Sequence, residues 1–290
     1  MFDLISIVFR PELPLLKIQA ESINQYINPD DINSIVVVVN DHDDVAALID
    51  IGWWGQHVHK VKIKCRSEWD YTSRIGGWEN QQLCKLLAAA ESTCDWSMVL
   101  DAKTWFIKKV TAADFFDEQG RARTGHIPTV PVFESSRQFV EQLYNVTLEH
   151  TIGPGGVPFI FHTHTVKALT DSIDNFIEFF QTQVKYPNLI TEFHLYSGFV
   201  LSRYGSYKEL YNKDIGYSVI NIADWEADNF DQLFAHMNSN NTLLTTVSIH
   251  RRAYKDLSTT QIKQWVDFLI EKNLVCDNLE TCNLLNTYIK

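Results

Sequence analysis

The run Trp96-Ser97-Met98-Val99-Leu100-Asp101-Ala102-Lys103-Thr104 carries the densest chemical signal in the chain. An apolar strand stops on a carboxylate, and a lysine follows two positions later. Neighbours in a strand point to opposite faces, so positions i and i+2 share one. Asp101 and Lys103 therefore fall on the same side as the chain leaves its strand. In open α/β sheets, ligands bind in the crevice outside the carboxyl ends of the strands. A carboxylate there can ligate a hard divalent cation, whereas an ammonium has no lone pair and acts only as a cation and donor. Other ionisable side chains sit at comparable places. Arg10 follows the apolar run 4–9, and Asp41 follows the run Ile35 to Val39. His250-Arg251-Arg252 follows the run 243–249, and Arg74 stands in a loop beside Gly76 and Gly77. Glu192 opens a segment of helical spacing in which Tyr196, four residues on, shares its face.

These groups need a scaffold, and the spacing of apolar residues predicts one. Strands are expected at 4–9, 35–39, 58–63, 97–100 and 243–249, the second as a continuous β-branched run of the kind covered on both faces. Helices are expected at 13–27, 45–51, 78–90, 135–146, 166–184, 190–203 and 258–273, the last with Ser258 as its N-cap. Trp78 and Leu83 read as core, and Lys85 as a lysine snorkelling to the surface. Strand and helix alternate through the first 110 residues, which argues a mostly parallel sheet flanked by helices. No linker interrupts the chain, so one domain of two halves, 1–110 and 111–290, is the economical reading. Residues 152–158 form a Gly/Pro-rich loop without the strand-to-helix context of a dinucleotide fingerprint.

Composition narrows the function classes. The chain has 290 residues, 45% apolar and 21% charged, with a net charge of −11. That balance argues against a broad nucleic-acid-binding surface, which needs clustered Lys and Arg. Five cysteines, Cys65, Cys84, Cys94, Cys276 and Cys282, show no metal-site spacing and suit free thiols in a reducing compartment. No apolar run approaches the ~20 residues of a membrane span, and the N-terminus lacks a basic, cleavable leader, so a soluble cytoplasmic protein is expected. Neither a P-loop, a nucleophile elbow nor a His-Glu-x-x-His motif is present.

In order, Ile7-Val8-Phe9-Arg10, Val38-Val39-Asn40-Asp41, Trp78 to Leu86, Val99-Leu100-Asp101-Ala102-Lys103, Pro158 to Thr163, Thr191 to Tyr196 and Ser248-Ile249-His250-Arg251 resemble the GT-A glycosyltransferase superfamily, and within it a bacterial and phage glycosyltransferase-like group. The resemblance runs from about Leu4 to Asn273, with Lys103 where a second carboxylate often stands. It implies a GT-A-like (Rossmann-like) domain with a nucleotide-binding half and an acceptor half. It implies transfer of a sugar from a nucleotide-diphosphate donor to a glycan or other hydroxyl acceptor, assisted by Mn²⁺ or Mg²⁺. Asp101 and His250 would hold the metal, unless Lys103 itself neutralises phosphate and relaxes the metal requirement; Asp41 would meet the base or ribose, and Arg10 the nucleotide. Arg74, Lys103 and Arg251 would meet the phosphates, and Glu192 would be the catalytic base, a role it would lose in a retaining reaction. Asn80 and Gln81 would face the ligand from the start of their helix, and Tyr196 would line the sugar site. Of two His-x-His pairs, His57/His59 reads as an exposed loop, while His162 of the pair His162/His164 borders the acceptor site. Two other readings remain open: a GT-A-shaped binding or scaffold protein without turnover, motivated by Lys103, and, ranked lower, a nucleotidyltransferase.

Overall fold

A computed structural model describes residues 1–153, 157–223, 228–239, 241–275, 285 and 288. Cys276, Cys282 and the glycines of the loop at 154–156 lie outside the described residues, while Cys65, Cys84 and Cys94 are free thiols. The first half comprises β1 (Phe2–Val8), α1 (Leu13–Tyr26), β2 (Ile32–Val39), β3 (Val61–Cys65), α2 (Gly77–Ala90), β4 (Trp96–Asp101) and β5 (Thr104–Phe106). Then follow α3 (Ala112–Phe115), β6 (Ala122–Arg123), β7 (His126–Pro128), α4 (Glu134–Tyr144), β8 (His150–Ile152), β9 (Phe159–His162), α5 (Thr163–Ser172), α6 (Phe176–Gln183) and α7 (Glu192–Tyr204). The last elements are β10 (Tyr211–Asn212), β11 (Ser218–Ile222), α8 (Phe230–Met237), β12 (Leu244–Ile249) and α9 (Thr259–Glu271).

The central sheet has the order β3-β2-β1-β4-β9, parallel except for the antiparallel β9. β1 and the Ile35–Val39 part of β2 are mainly apolar, as suits strands covered on both faces, and β1 is buried along its whole length. Register aligns Val8 with Val39 and Ile7 with Asp101, so the carboxyl ends of β1, β2 and β4 finish at one edge. A second, three-stranded sheet, β11-β12-β5, stands beside it. β12 thus belongs to this smaller sheet, pairing antiparallel with β5 immediately after the Asp101 turn. Its core is built on Trp105, Trp265 and Phe230.

Local signals explain the boundaries. α7 starts on Thr191, whose hydroxyl accepts the His194 N–H, and stops at Gly205 in the left-handed region, where glycine carries no Cβ penalty. Ser258 caps α9 in a capping box with Gln261, as the sequence suggests. Three expectations are corrected. Residues 166–184 are not one helix: α5 and α6 are separated by a break in which Asn175 takes φ 51°, a conformation that asparagine tolerates. Residues 51–60 form 3-10 turns, so the strand predicted from 58 begins only at Val61. Those turns bury His57 against the carbonyl of Ile27 at 3.2 Å, so the loop reading holds for exposed His59 but not for His57. Among the described residues, no helix is long and apolar enough to cross a membrane.

Candidate functional site

The carboxyl edge of the central sheet opens into a cleft of about 880 Å³, inside the range of small-molecule sites. Asp101 forms its floor at the end of β4. Buried Gln19 supports the following turn from beneath, donating to the carbonyls of Asp101 at 2.6 Å and Thr104 at 2.9 Å. One wall is α2. Trp78, Gln81, Gln82 and Lys85 line the cleft at spacings i, i+3, i+4 and i+7, a single helical stripe. Asn40, at the end of β2, ties the start of that helix to the sheet edge: its amide donates to the carbonyl of Gly77 at 2.8 Å and accepts from Asn80 at 2.7 Å. The opposite wall is the N-terminus of α7, with Glu192, Phe193 and His194, and the third side is the turn His250-Arg251-Arg252 after β12. Asp101 and His250, far apart in sequence and on different sheets, therefore face one cleft.

The centre of the cleft is a chain of four charges. Lys103 Nζ lies 2.5 Å from Asp101 Oδ2, and Lys85 Nζ lies 3.0 Å from Oδ1. Lys85 reaches Glu192 Oε1 at 3.1 Å on its other side. Gln81 donates to Asp101 Oδ1 at 2.6 Å. Lys85 is thus not a surface lysine but a buried hub joining two carboxylates that lie 91 positions apart in sequence. Burial alone would raise the pKa of Asp101, but Lys103 and Lys85 outweigh it and hold the carboxyl well below the usual range. Burial also disfavours the Lys85 ammonium, yet Asp101 and Glu192 keep it charged, with its pKa above the usual value. Glu192 differs: burial raises its pKa, and Lys85 only partly offsets that. It is therefore a more basic carboxylate than its exposed counterparts.

Glu12 is the residue that sequence reasoning missed altogether. It sits in the turn after β1, lines the cleft and is almost wholly buried. Burial pushes its pKa up to about 7, against the attraction of Lys103 and Arg251. Arg251 Nε stands 3.9 Å from Glu12 Oε1, beyond hydrogen-bonding reach, and its guanidinium covers the Phe9 ring at 5.3 Å. His194 is kept neutral: burial lowers its pKa to about 4, and its Nδ1 packs 2.9 Å from the Ser136 hydroxyl.

Of the residues singled out from sequence, Asp41, Asp101, Lys103, Glu192, His250, Arg251 and Gln81 line the cleft. Burial opposes the ionised Asp41 carboxyl, but backbone N–H groups of Arg10 and His42 lower its pKa on balance. Others are placed elsewhere. Arg10 turns away to pair with Asp44 on the surface. Arg74 is 72% exposed, with Glu178 at 3.9 Å as its ionic neighbour. Tyr196 is a core strut: its hydroxyl accepts the His162 N–H at 3.0 Å and meets the Tyr211 hydroxyl at 2.7 Å. His162 pairs in register with Trp96, at the opposite end of β4 from Asp101, because β9 runs antiparallel, and it does not border the cleft. His164 faces outward near Asp95 at 3.4 Å. Trp78 is half-exposed on the cleft wall, stacked on Phe133, rather than in the core. The signals for Lys85 and Trp78 are present in the sequence: a lone lysine inside Leu83-Cys84-Lys85-Leu86-Leu87, and polar residues recurring on one helical stripe.

The chemistry of the donor set bears on the expected divalent ion. Both oxygens of Asp101 are engaged by N–H donors, and two ammonium groups lie within 3.0 Å of them. Among the described residues, no group of three His, Cys, Asp or Glu side chains could hold a metal ion. An ion at Asp101 would have to displace both lysines or sit against them. This constellation does not suit Mn²⁺ or Mg²⁺.

Comparisons with known proteins place the chain among α/β folds of this type. It is similar to WbbM, a bifunctional glycosyltransferase solved in its apo form, with a TM-score of 0.51 at 8% identity over 98% of this chain. The chain spans 51% of that protein's length, and at such identity the likeness shows a shared fold. The galactosyltransferase LgtC, solved with donor and acceptor sugar analogues, aligns with a TM-score of 0.48 at 12% identity, over 98% of this chain and 100% of that one. No curated protein matches the chain. Residues 9–275, which carry every cleft residue named above, match the model of a family of unknown function, DUF6492, and the chain belongs to that family.

Proposed function

We propose that the cleft transfers a sugar from a nucleotide-diphosphate donor to a hydroxyl acceptor. The observation that carries this reading is the buried chain Glu192–Lys85–Asp101–Lys103 at the carboxyl edge of the sheet: a basic carboxylate at one end, and an ammonium lining the cleft at the other. The fold shared with a glycosyltransferase supports it by analogy. In the reaction the bond between the anomeric carbon and the donor phosphate breaks as the acceptor oxygen bonds to that carbon. The acceptor proton passes to Glu192, whose burial makes it a stronger base than an ordinary carboxylate. Negative charge gathers on the departing diphosphate, and Lys103 and Arg251 face it with donors and positive charge. Asp41 lies at the outer end of the same edge, where it accepts from ribose or base.

The test is incubation of the protein with a panel of nucleotide sugars, with release of nucleoside diphosphate as the readout. Slow hydrolysis of one donor, accelerated by a hydroxyl acceptor, is the expected result. Glu192→Gln should lower that rate by a factor on the order of 10² to 10⁴, as the loss of a general base does. Nucleotide binding without turnover by any donor would instead favour the binding-protein reading.

A further inference from the structure

We propose that this cleft grips its diphosphate without a divalent cation, the Lys103 ammonium standing where an ion would, with Asp101 holding it in place. The inference rests on the donor-binding reading above. Its ground is how Asp101 is used. In a metal site a strand-end carboxylate must offer lone pairs to the ion. Here Oδ2 is turned to Lys103 at 2.5 Å, and Oδ1 receives both Lys85 at 3.0 Å and Gln81 at 2.6 Å. The carboxylate is spent on positioning cations. It cannot at the same time stabilise a doubly charged ion, which the two ammonium groups would repel.

The two lysines divide the work. Lys85 is buried, and two of its three N–H donors go to Asp101 and Glu192. It neutralises the two carboxylates it joins. Lys103 lies on the cleft wall, in the turn that Gln19 braces from below, and one of its N–H donors is committed to Asp101. Its position on the wall lets it reach a phosphate oxygen while Asp101 fixes its direction. Arg251 lines the same cleft, and at 3.9 Å its contact with Glu12 is too long to be a hydrogen bond that a phosphate must first break. An ammonium and a guanidinium brought together this way can supply the charge and the directed donors that a diphosphate needs.

Calorimetric titration of the full chain with UDP, GDP and ADP, once in EDTA and once in Mn²⁺, decides the matter. The inference expects one nucleotide to bind in EDTA with an affinity within about tenfold of that in Mn²⁺. Binding that improves by more than about tenfold with Mn²⁺ overturns the inference and leaves the transferase reading standing. Absence of binding in both buffers overturns the reading beneath it as well. Lys103→Gln should weaken binding in EDTA by about tenfold or more, while Lys103→Arg keeps it within about threefold of the parent. Equal affinity of Lys103→Gln and the parent, at equal melting temperature, overturns the assignment of Lys103. Should Lys103→Gln not fold, the two-buffer comparison on the parent and on Lys103→Arg still separates a cation-free grip from a metal-dependent one.

Discussion

Replacing Glu12 by Gln should stabilise this protein at pH 8 far more than at pH 4.5. The carboxyl lies at the cleft, almost wholly buried, and its pKa rises from 4.5 to about 7. Burial is the main cause, with Lys103 and Arg251 opposing it. Between those two values the folded chain holds a proton that the unfolded chain has released. Stability therefore falls as pH rises through that window, and above it the full penalty applies. One pKa unit corresponds to 1.36 kcal/mol, so the buried carboxylate costs the fold about 3 kcal/mol at pH 8 relative to acid pH. Gln cannot ionise, and any packing change it brings is the same at both pH values. The difference in melting temperature between Glu12→Gln and the parent should therefore grow by about 5 °C from pH 4.5 to pH 8 for a chain of 290 residues. Thermal melts of the two proteins at the two pH values measure it. An unchanged gap would refute the argument, because it would mean that Glu12 titrates in the folded chain as it does in the unfolded one.

Three further expectations concern the same scaffold. Lys85→Met leaves Glu192 buried without its cation and should destabilise the fold by about 3–5 kcal/mol, the usual result of breaking a buried pair. Adding Glu192→Gln to Lys85→Met should recover a good part of that loss, and a double-mutant cycle by urea denaturation that shows simple additivity would argue against their coupling. Gly198→Ala places a Cβ 2.2 Å from Val140 Cγ1, where α7 crosses α4. The overlap should cost about 1–3 kcal/mol despite the better helix propensity of alanine, read as a lower denaturation midpoint. Arg74→Ala, by contrast, changes an exposed side chain outside the cleft and should leave donor hydrolysis as in the parent.

Several cleft residues are legible in the sequence alone. Asp101 and Asp41 each follow an apolar β run, and a parallel sheet delivers the ends of its strands to one edge; His250 also follows such a run, although its strand belongs to the second sheet. Glu192 is legible for a similar reason, since Thr191 marks a helix start and a helix start at the sheet edge overhangs the crevice. The residues that fall elsewhere also share a cause. Arg10 and Arg74 follow the right elements, but an arginine has a long side chain, and Asp44 and Glu178 offer it nearer partners. Tyr196 shares a helical face with Glu192, yet the helix runs inward from the cleft, so one turn later that face is core. Lys85 is ambiguous in sequence because a lysine among leucines has two explanations, a stem lying on the surface or a buried cation with partners, and those partners come from residues distant in the chain.

Periodicity and strand-end chemistry, both local, determined the alternation of elements, the parallel edge and most of the polar groups that face it. They act between residues a few positions apart, so the chain reports them directly. Only the tertiary structure decided that β12 belongs to a second sheet, that Glu12 faces the cleft from a buried turn, and that Asp101 is held by two lysines. Each of these depends on which distant segments pack together, and with that packing on how far burial and neighbouring charge move a group from its solution chemistry.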